Sequence, residues 1–311
     1  MGYFLGGSLI ILVLICAILL GAGSYFYNYA ILRKKKTFLQ SNPDLEGDAG
    51  WREGTIWFEE TPYKKTNLRT RDGLNLYAYE LEAPKSTDKT VILVHGYDSL
   101  GKGMGVFAQL YHEELGYHVL MPDLRGHGES EGSYVGFGWH DRLDLLQWIN
   151  HVMAIRGEAC QILLHGVSMG GGTVLMTSGE ELPVQVKGII SDCSYSSVGD
   201  ILTYQMKRMF KLPAFPLIPV TSLVCRKRAG YFFREASAVK QVHKNKKPIL
   251  FIHGEADTFV PAEMARTLFA ATEASDKRLF LVPGAGHAKA FFADRAGYIS
   301  QVKDFITQYM S

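Results

Sequence analysis

A serine between glycines, an aspartate behind one apolar run and a histidine behind another are the residues of this chain whose types and spacing could do covalent chemistry. The serine stands in His165-Gly166-Val167-Ser168-Met169-Gly170, directly after Ile162-Leu163-Leu164 and before a helical pattern. A G-x-S-x-G segment in that setting forms a sharp strand-to-helix turn that lifts the hydroxyl above a sheet. A serine hydroxyl is a weak nucleophile until a neighbouring base takes its proton. His287, in Gly284-Ala285-Gly286-His287-Ala288, follows the last apolar run and precedes the final helix, which makes it the expected base. Asp257 lies in His253-Gly254-Glu255-Ala256-Asp257, again just beyond an apolar run, and is the expected acid. It would accept from the imidazole, fix its tautomer and stabilise the imidazolium. Asp192 and Glu255 are rival acids, in that order. The tetrahedral oxyanion of acyl transfer needs two donors. Met169 N–H, at the start of a helix, is one candidate. Tyr97 N–H, in His95-Gly96-Tyr97-Asp98-Ser99, is the other, with Gly96 allowing the backbone close to substrate and the Tyr97 hydroxyl offering a further contact. His95 is expected beneath that loop, outside the proton transfer.

These residues need a rigid frame. Residues 90–94, 118–121, 161–164, 186–190, 248–252 and 278–282 are short, continuously apolar runs. Helical patterns near 103–115, 139–156, 169–179, 262–274 and 289–309 separate most of them. Buried strands alternating with crossover helices predict an α/β fold, with a mostly parallel sheet covered on both faces. Residues 67–82 read as an antiparallel hairpin turning at Arg71-Asp72-Gly73. Between 193 and 247 the alternation stops. There Met206, Met209, Phe210, Leu217 and Val220 interleave with Lys207, Arg208, Arg226, Lys227 and Arg228. This stretch predicts a small helical cap over about 196–235, either lining an acyl pocket or turning a basic face to lipid headgroups.

The chain has 311 residues, with 33 Lys+Arg against 31 Asp+Glu and 47% hydrophobic residues. That supports a large core and excludes a disordered or disulfide-stapled chain. The first charged side chains are Arg33, Lys34, Lys35 and Lys36, and the remainder without them is slightly acidic, so no nucleic-acid partner is expected. A helix over 4–24 would be about 32 Å long, enough to cross a bilayer core. Tyr25, Phe26, Tyr27 and Tyr29 would form an interfacial belt, with the four cations at headgroup depth. A cleaved signal peptide is disfavoured because no cation precedes the apolar run. The expected layout is an anchor at 1–32, a basic then polar linker at 33–54, and a body at 55–311. The charge bias places a single-pass protein in the cell membrane with its body on the cytoplasmic side. Cys160, Cys193 and Cys225 are expected as free thiols.

Over residues 68–309 the chain resembles the α/β-hydrolase superfamily, most nearly the membrane-anchored bacterial serine hydrolases grouped with Bem46-like and acylglycerol-lipase-like esterases. The likeness rests on His95-Gly96-Tyr97, Asp123-Leu124-Arg125-Gly126-His127-Gly128-Glu129-Ser130, the glycine-framed Ser168, the segment from Gly254 to Pro261, and Gly286-His287. It implies a Ser-Asp-His triad in the chain order such sheets use. It also implies a cap inserted before the 248–252 strand, and structural roles for Arg125 and His127. Members cleave carboxylic esters, acylglycerols, thioesters and sometimes peptides. The expected activity is therefore hydrolysis of a small or lipid-like ester through an acyl-enzyme, with neither metal nor organic cofactor. Peptidase, amidase or thioesterase chemistry on the same triad is the alternative. A noncatalytic membrane-tethered binding module is the alternative of another class.

Overall fold

Apolar runs with no polar alternation can leave neither face in water, and the strands they form divide their side chains between two cores. In a computed structural model that describes residues 2–34 and 49–310, β3 (Lys89–Val94) sends Ile92 and Val94 to one core and Val91 and Leu93 to the other. The strand β5 (Gln161–Val167) divides Ile162 and Leu164 from Leu163 and Val167 in the same way. With β1 (Lys64–Arg69), β2 (Asn75–Leu81), β4 (His118–Pro122), β6 (Val186–Asp192), β7 (Ile249–Gly254) and β8 (Lys277–Val282) they form one sheet. Its order is β1-β2-β4-β3-β5-β6-β7-β8. The β1–β2 and β2–β4 pairings are antiparallel, and every other pairing is parallel. The β1–β2 pairing is the expected hairpin, starting at Lys64, and β5 sits mid-sheet.

One face carries α2 (Ala49–Glu60), α3 (Gly105–Gln109), α10 (Ala290–Ala293) and α11 (Arg295–Tyr309). The other carries α4 (Asp141–Arg156), α5 (Met169–Thr177), α8 (Ala238–Val242) and α9 (Ala262–Ala271). The expected helix near 103–115 is instead a 3-10 turn, the short α3 and a π turn in succession. Gly105 explains part of this: a Cβ there would lie 2.0 Å from the Gly54 carbonyl oxygen, so α2 and α3 meet backbone to backbone. The polar stretch read as linker to residue 54 is thus helical from Ala49, with Phe58 buried against Tyr79. Residues 35–48 of that expected linker, Lys35 and Lys36 included, lie outside the described residues.

Between β6 and β7 the cap consists of α6 (Val198–Gln205), a π turn and α7 (Leu217–Ala229). The N-terminal helix α1 (Gly2–Ala30) runs past the expected end at residue 24. Leu9, Ile10, Ile11, Leu12, Val13, Leu14 and Ile18 are exposed on it, as a bilayer-crossing stretch requires. Its last turns behave differently. Phe26, Tyr27 and the following Ile31 are buried against the body, so they form no interfacial belt, while Tyr25 stays exposed. Arg33 also departs from the expected headgroup position: its guanidinium donates to the carbonyls of Ser130 (2.7 Å) and Gly128 (2.8 Å). A β-bridge between Leu32 and Tyr134 completes the seam. The four cysteines are free, and Cys160, Cys193 and Cys225 are buried.

Candidate active site

Ser168 follows the last residue of β5 and caps α5 with φ 55° and ψ −113°, a region an L-residue occupies only under strain of about 1–3 kcal/mol. The flanking glycines explain why the chain tolerates it. A Cβ on Gly166 would fall 2.1 Å from the Gly170 carbonyl oxygen, and one on Gly170 would fall 1.9 Å from that of Val94. No side chain fits at either position, so strand, turn and helix can cross closely enough to project the hydroxyl outward.

The structure brings three of the expected residues into one chain of contacts. The Ser168 hydroxyl lies 2.9 Å from His287 Nε2. His287 Nδ1 lies 2.7 Å from Asp257 Oδ2, the distance at which a protonated Nδ1 donates to a carboxylate. Asp257 is held on its other oxygen by the N–H groups of Phe259 (2.9 Å) and Val260 (2.8 Å). Burial alone would raise its pKa, but His287 and His253 outweigh that and hold the carboxyl below the ordinary carboxylate range. His253 Nε2 stands 3.2 Å from the same Oδ2, a contact sequence reasoning missed although the residue lies in the quoted segment.

The rival acids are elsewhere. Asp192 is buried and accepts from the Tyr298 hydroxyl at 3.0 Å; burial pushes its pKa up to about 6. Glu255 is exposed and faces Arg266.

Tyr97 and Met169 both line the space into which Ser168 opens. A Cβ on Gly96 would lie 3.5 Å from Ser168 Cβ, so the Tyr97 loop runs at van der Waals distance from the serine. The loop is fixed from below. His95 is fully buried, its Nδ1 2.7 Å from the Gly96 carbonyl and its Nε2 accepting from Leu124 N–H at 3.0 Å. Burial, with His127 close by, lowers its pKa to about 3, so it is neutral. His127 Nε2 lies 2.8 Å from the Tyr97 carbonyl, and Arg125 makes two 2.7 Å bonds to Asp144. The Tyr97 hydroxyl, which offered a further contact beside the oxyanion donors, instead donates to the Ala30 carbonyl at 2.5 Å.

Two cavities flank Ser168. One, of about 400 Å³, is bounded by Trp51, Asp98, Ser99, Met104, His287 and Phe259. The other, narrow and about 90 Å³, lies under the cap and is lined almost wholly by apolar side chains. Trp51 on α2 and Phe259, whose ring centroid is 5.0 Å from that of His287, were not expected here. Trp51 left no sequence signal, because it precedes the first strand.

The Alpha/beta hydrolase family matches residues 91–301. The uncharacterized protein YqkD of Bacillus subtilis is 28% identical over 234 residues, covering 74% of this chain and 76% of that one. Protein bem46 of Schizosaccharomyces pombe is 24% identical, covering 79% of this chain and 77% of its own length. Among solved structures, an esterase of Pyrococcus furiosus superposes with a TM-score of 0.66 at 24% identity, covering 80% of this chain and 92% of that one. At that identity the likeness speaks for the fold.

Proposed function

The chain belongs to the alpha/beta hydrolase family, and on that premise we propose that it is a membrane-anchored serine esterase of the Bem46-like group. Ser168 attacks the acyl carbon as His287 takes its proton, and the N–H groups of Tyr97 and Met169 hold the tetrahedral oxyanion. His287 then protonates the leaving alcohol. A water molecule, deprotonated by the same ring, releases the acid from the acyl-enzyme. Asp257 keeps the imidazole in the required tautomer and balances its transient charge. The observation that carries this reading is the unbroken contact from Ser168 Oγ through His287 to Asp257, at 2.9 and 2.7 Å.

The apolar cavity beside Ser168 favours an acyl group over a peptide, because a buried peptide would leave polar groups unpaired there. The 400 Å³ cavity on the His287 side suits the alcohol, next to the ring that must protonate it. We assign the anchor to residues 1–32 and the hydrolase body to 55–311, with the cap at about 196–235. The segment 33–54 joins them, its last residues from Ala49 onward already belonging to α2 and packing on the body at Gly54.

Labelling of the full chain by a fluorophosphonate, compared with Ser168→Ala, is the test. Labelling and p-nitrophenyl butyrate turnover that both vanish in the variant support the proposal. Labelling that survives the substitution assigns the chemistry to another serine, and a folded wild-type protein inert to both reagents refutes the enzyme.

A further inference from the structure

The narrow cavity beneath the cap is not walled by the hydrolase body alone. Phe26, Tyr29 and Ala30, in the last turns of α1, line it together with Met209, Phe210 and Ile218 of the cap and with Ser168 itself. These walls are built contacts. The Phe210 ring meets Phe26 edge-on at 5.1 Å and Tyr29 at 5.2 Å. Gly23 lets α1 approach α7 so closely that a Cβ would come within 2.8 Å of Val220. Arg228 of α7 donates to Asn28 at 3.0 Å and stacks over Tyr27. The Tyr97 hydroxyl bond to Ala30 ties the same turn to the loop beside the nucleophile.

The opposite end of α1 is an exposed apolar rod from Leu9 to Leu20, suited to hydrocarbon. Phe26 lies six residues beyond Leu20, so the cavity wall begins roughly 9 Å along the helix past that apolar rod. Phe215, 78% exposed, and Leu212 project from the cap just before α7, beside Lys211. Apolar side chains next to a cation are the composition that seats at a bilayer interface. The site therefore opens beside a membrane, and one of its walls is the continuation of the membrane helix.

We infer that α1 is part of the acyl-binding site: the substrate is a bilayer-resident ester whose hydrocarbon chain enters the cavity along α1, and Tyr29 and Ala30 limit the length of chain accepted. This rests on the esterase reading above and adds the origin of the substrate and the residues that select it.

The test measures kcat/KM of the full-length protein in detergent micelles for p-nitrophenyl laurate and p-nitrophenyl butyrate, and the ratio of the two. Ala30→Leu fills the cavity and should lower the laurate-to-butyrate ratio about tenfold. Tyr29→Ala enlarges it and should raise the ratio severalfold, which keeps the test open if the bulkier variant melts early. Ile18→Ala, on the lipid-facing stretch, should leave the ratio unchanged. An unchanged ratio in both cavity variants, with butyrate turnover retained, would overturn the role of α1 and leave the esterase reading intact. An equal shift in Ile18→Ala would overturn it too, by showing a general effect of the span. Wild-type protein inert to both esters and to a fluorophosphonate would remove the esterase reading and this inference together.

Discussion

At the scale of single residues, the two buried aspartates near the sheet's carboxyl edge show how environment divides identical groups. Asp257 accepts two backbone N–H groups and faces two imidazoles, and is held ionised. Asp192 accepts from the Tyr298 hydroxyl, and its Oδ1 has no hydrogen-bond partner among the described residues. Burial raises its pKa to about 6. The folded protein therefore keeps a proton that the unfolded chain releases from about pH 4 upward, so this group lowers stability as pH rises through that window. Asp192→Asn should consequently gain on the wild type between pH 4 and 7, by up to about 3 kcal/mol. Thermal unfolding of both proteins at pH 4.5 and 7.5 reads the difference directly; a gap that does not widen with pH would contradict it.

At the scale of elements, the proposed catalytic residues sit on turns that follow strands, and the glycines around Ser168 set the geometry there. The packing of α1 on α7 belongs to the same class of contact. Gly23 has no room for a side chain, since a Cβ would meet Val220 Cγ1 at 2.8 Å and its carbonyl oxygen at 3.1 Å. Overpacking of this kind costs about 1–3 kcal/mol. Gly23→Leu should therefore lower the melting temperature while making the span more hydrophobic. Fluorophosphonate labelling of the folded fraction should persist, because no group that touches the serine has changed. A melting temperature equal to that of the wild type would mean that α1 and α7 do not rest on each other.

At the scale of the whole molecule, the sheet-and-helix body and the end of the apolar N-terminal helix share a seam. Ile31, Leu32 and Arg33 pair with the segment 128–135 through backbone and guanidinium bonds. Because the Arg33 guanidinium is bonded to that segment, the charge bias rests on Lys34 and the lysines that follow it in sequence. We propose that this cluster keeps the body in the cytoplasm of a single-pass protein, since cations flanking a span are retained on that side. Protease added outside sealed, right-side-out vesicles should then leave the C-terminal body intact and degrade it only after detergent. Digestion without detergent would reverse the orientation.

The alternation of buried runs with helical patterns was enough to determine the α/β sheet. Continuous apolar strands have one stable destination, between two layers of helices. The glycines around Ser168 and the placement of Asp257 and His287 after strands were legible for the same local reason. Choosing among Asp192, Asp257 and Glu255 was not a local matter. It depended on which loop reached the imidazole in three dimensions, a contact between residues 30 positions apart. The polar stretch before residue 54 concealed a helix, because α2 gains its stability from Gly54 against Gly105 and Phe58 against Tyr79, partners far along the chain. In the same way, apolarity alone marked α1 as a span. Only the tertiary structure decided that its last turns bury Phe26 and Tyr27 against the body and wall the space beside Ser168, because close packing between distant segments leaves no period in the sequence.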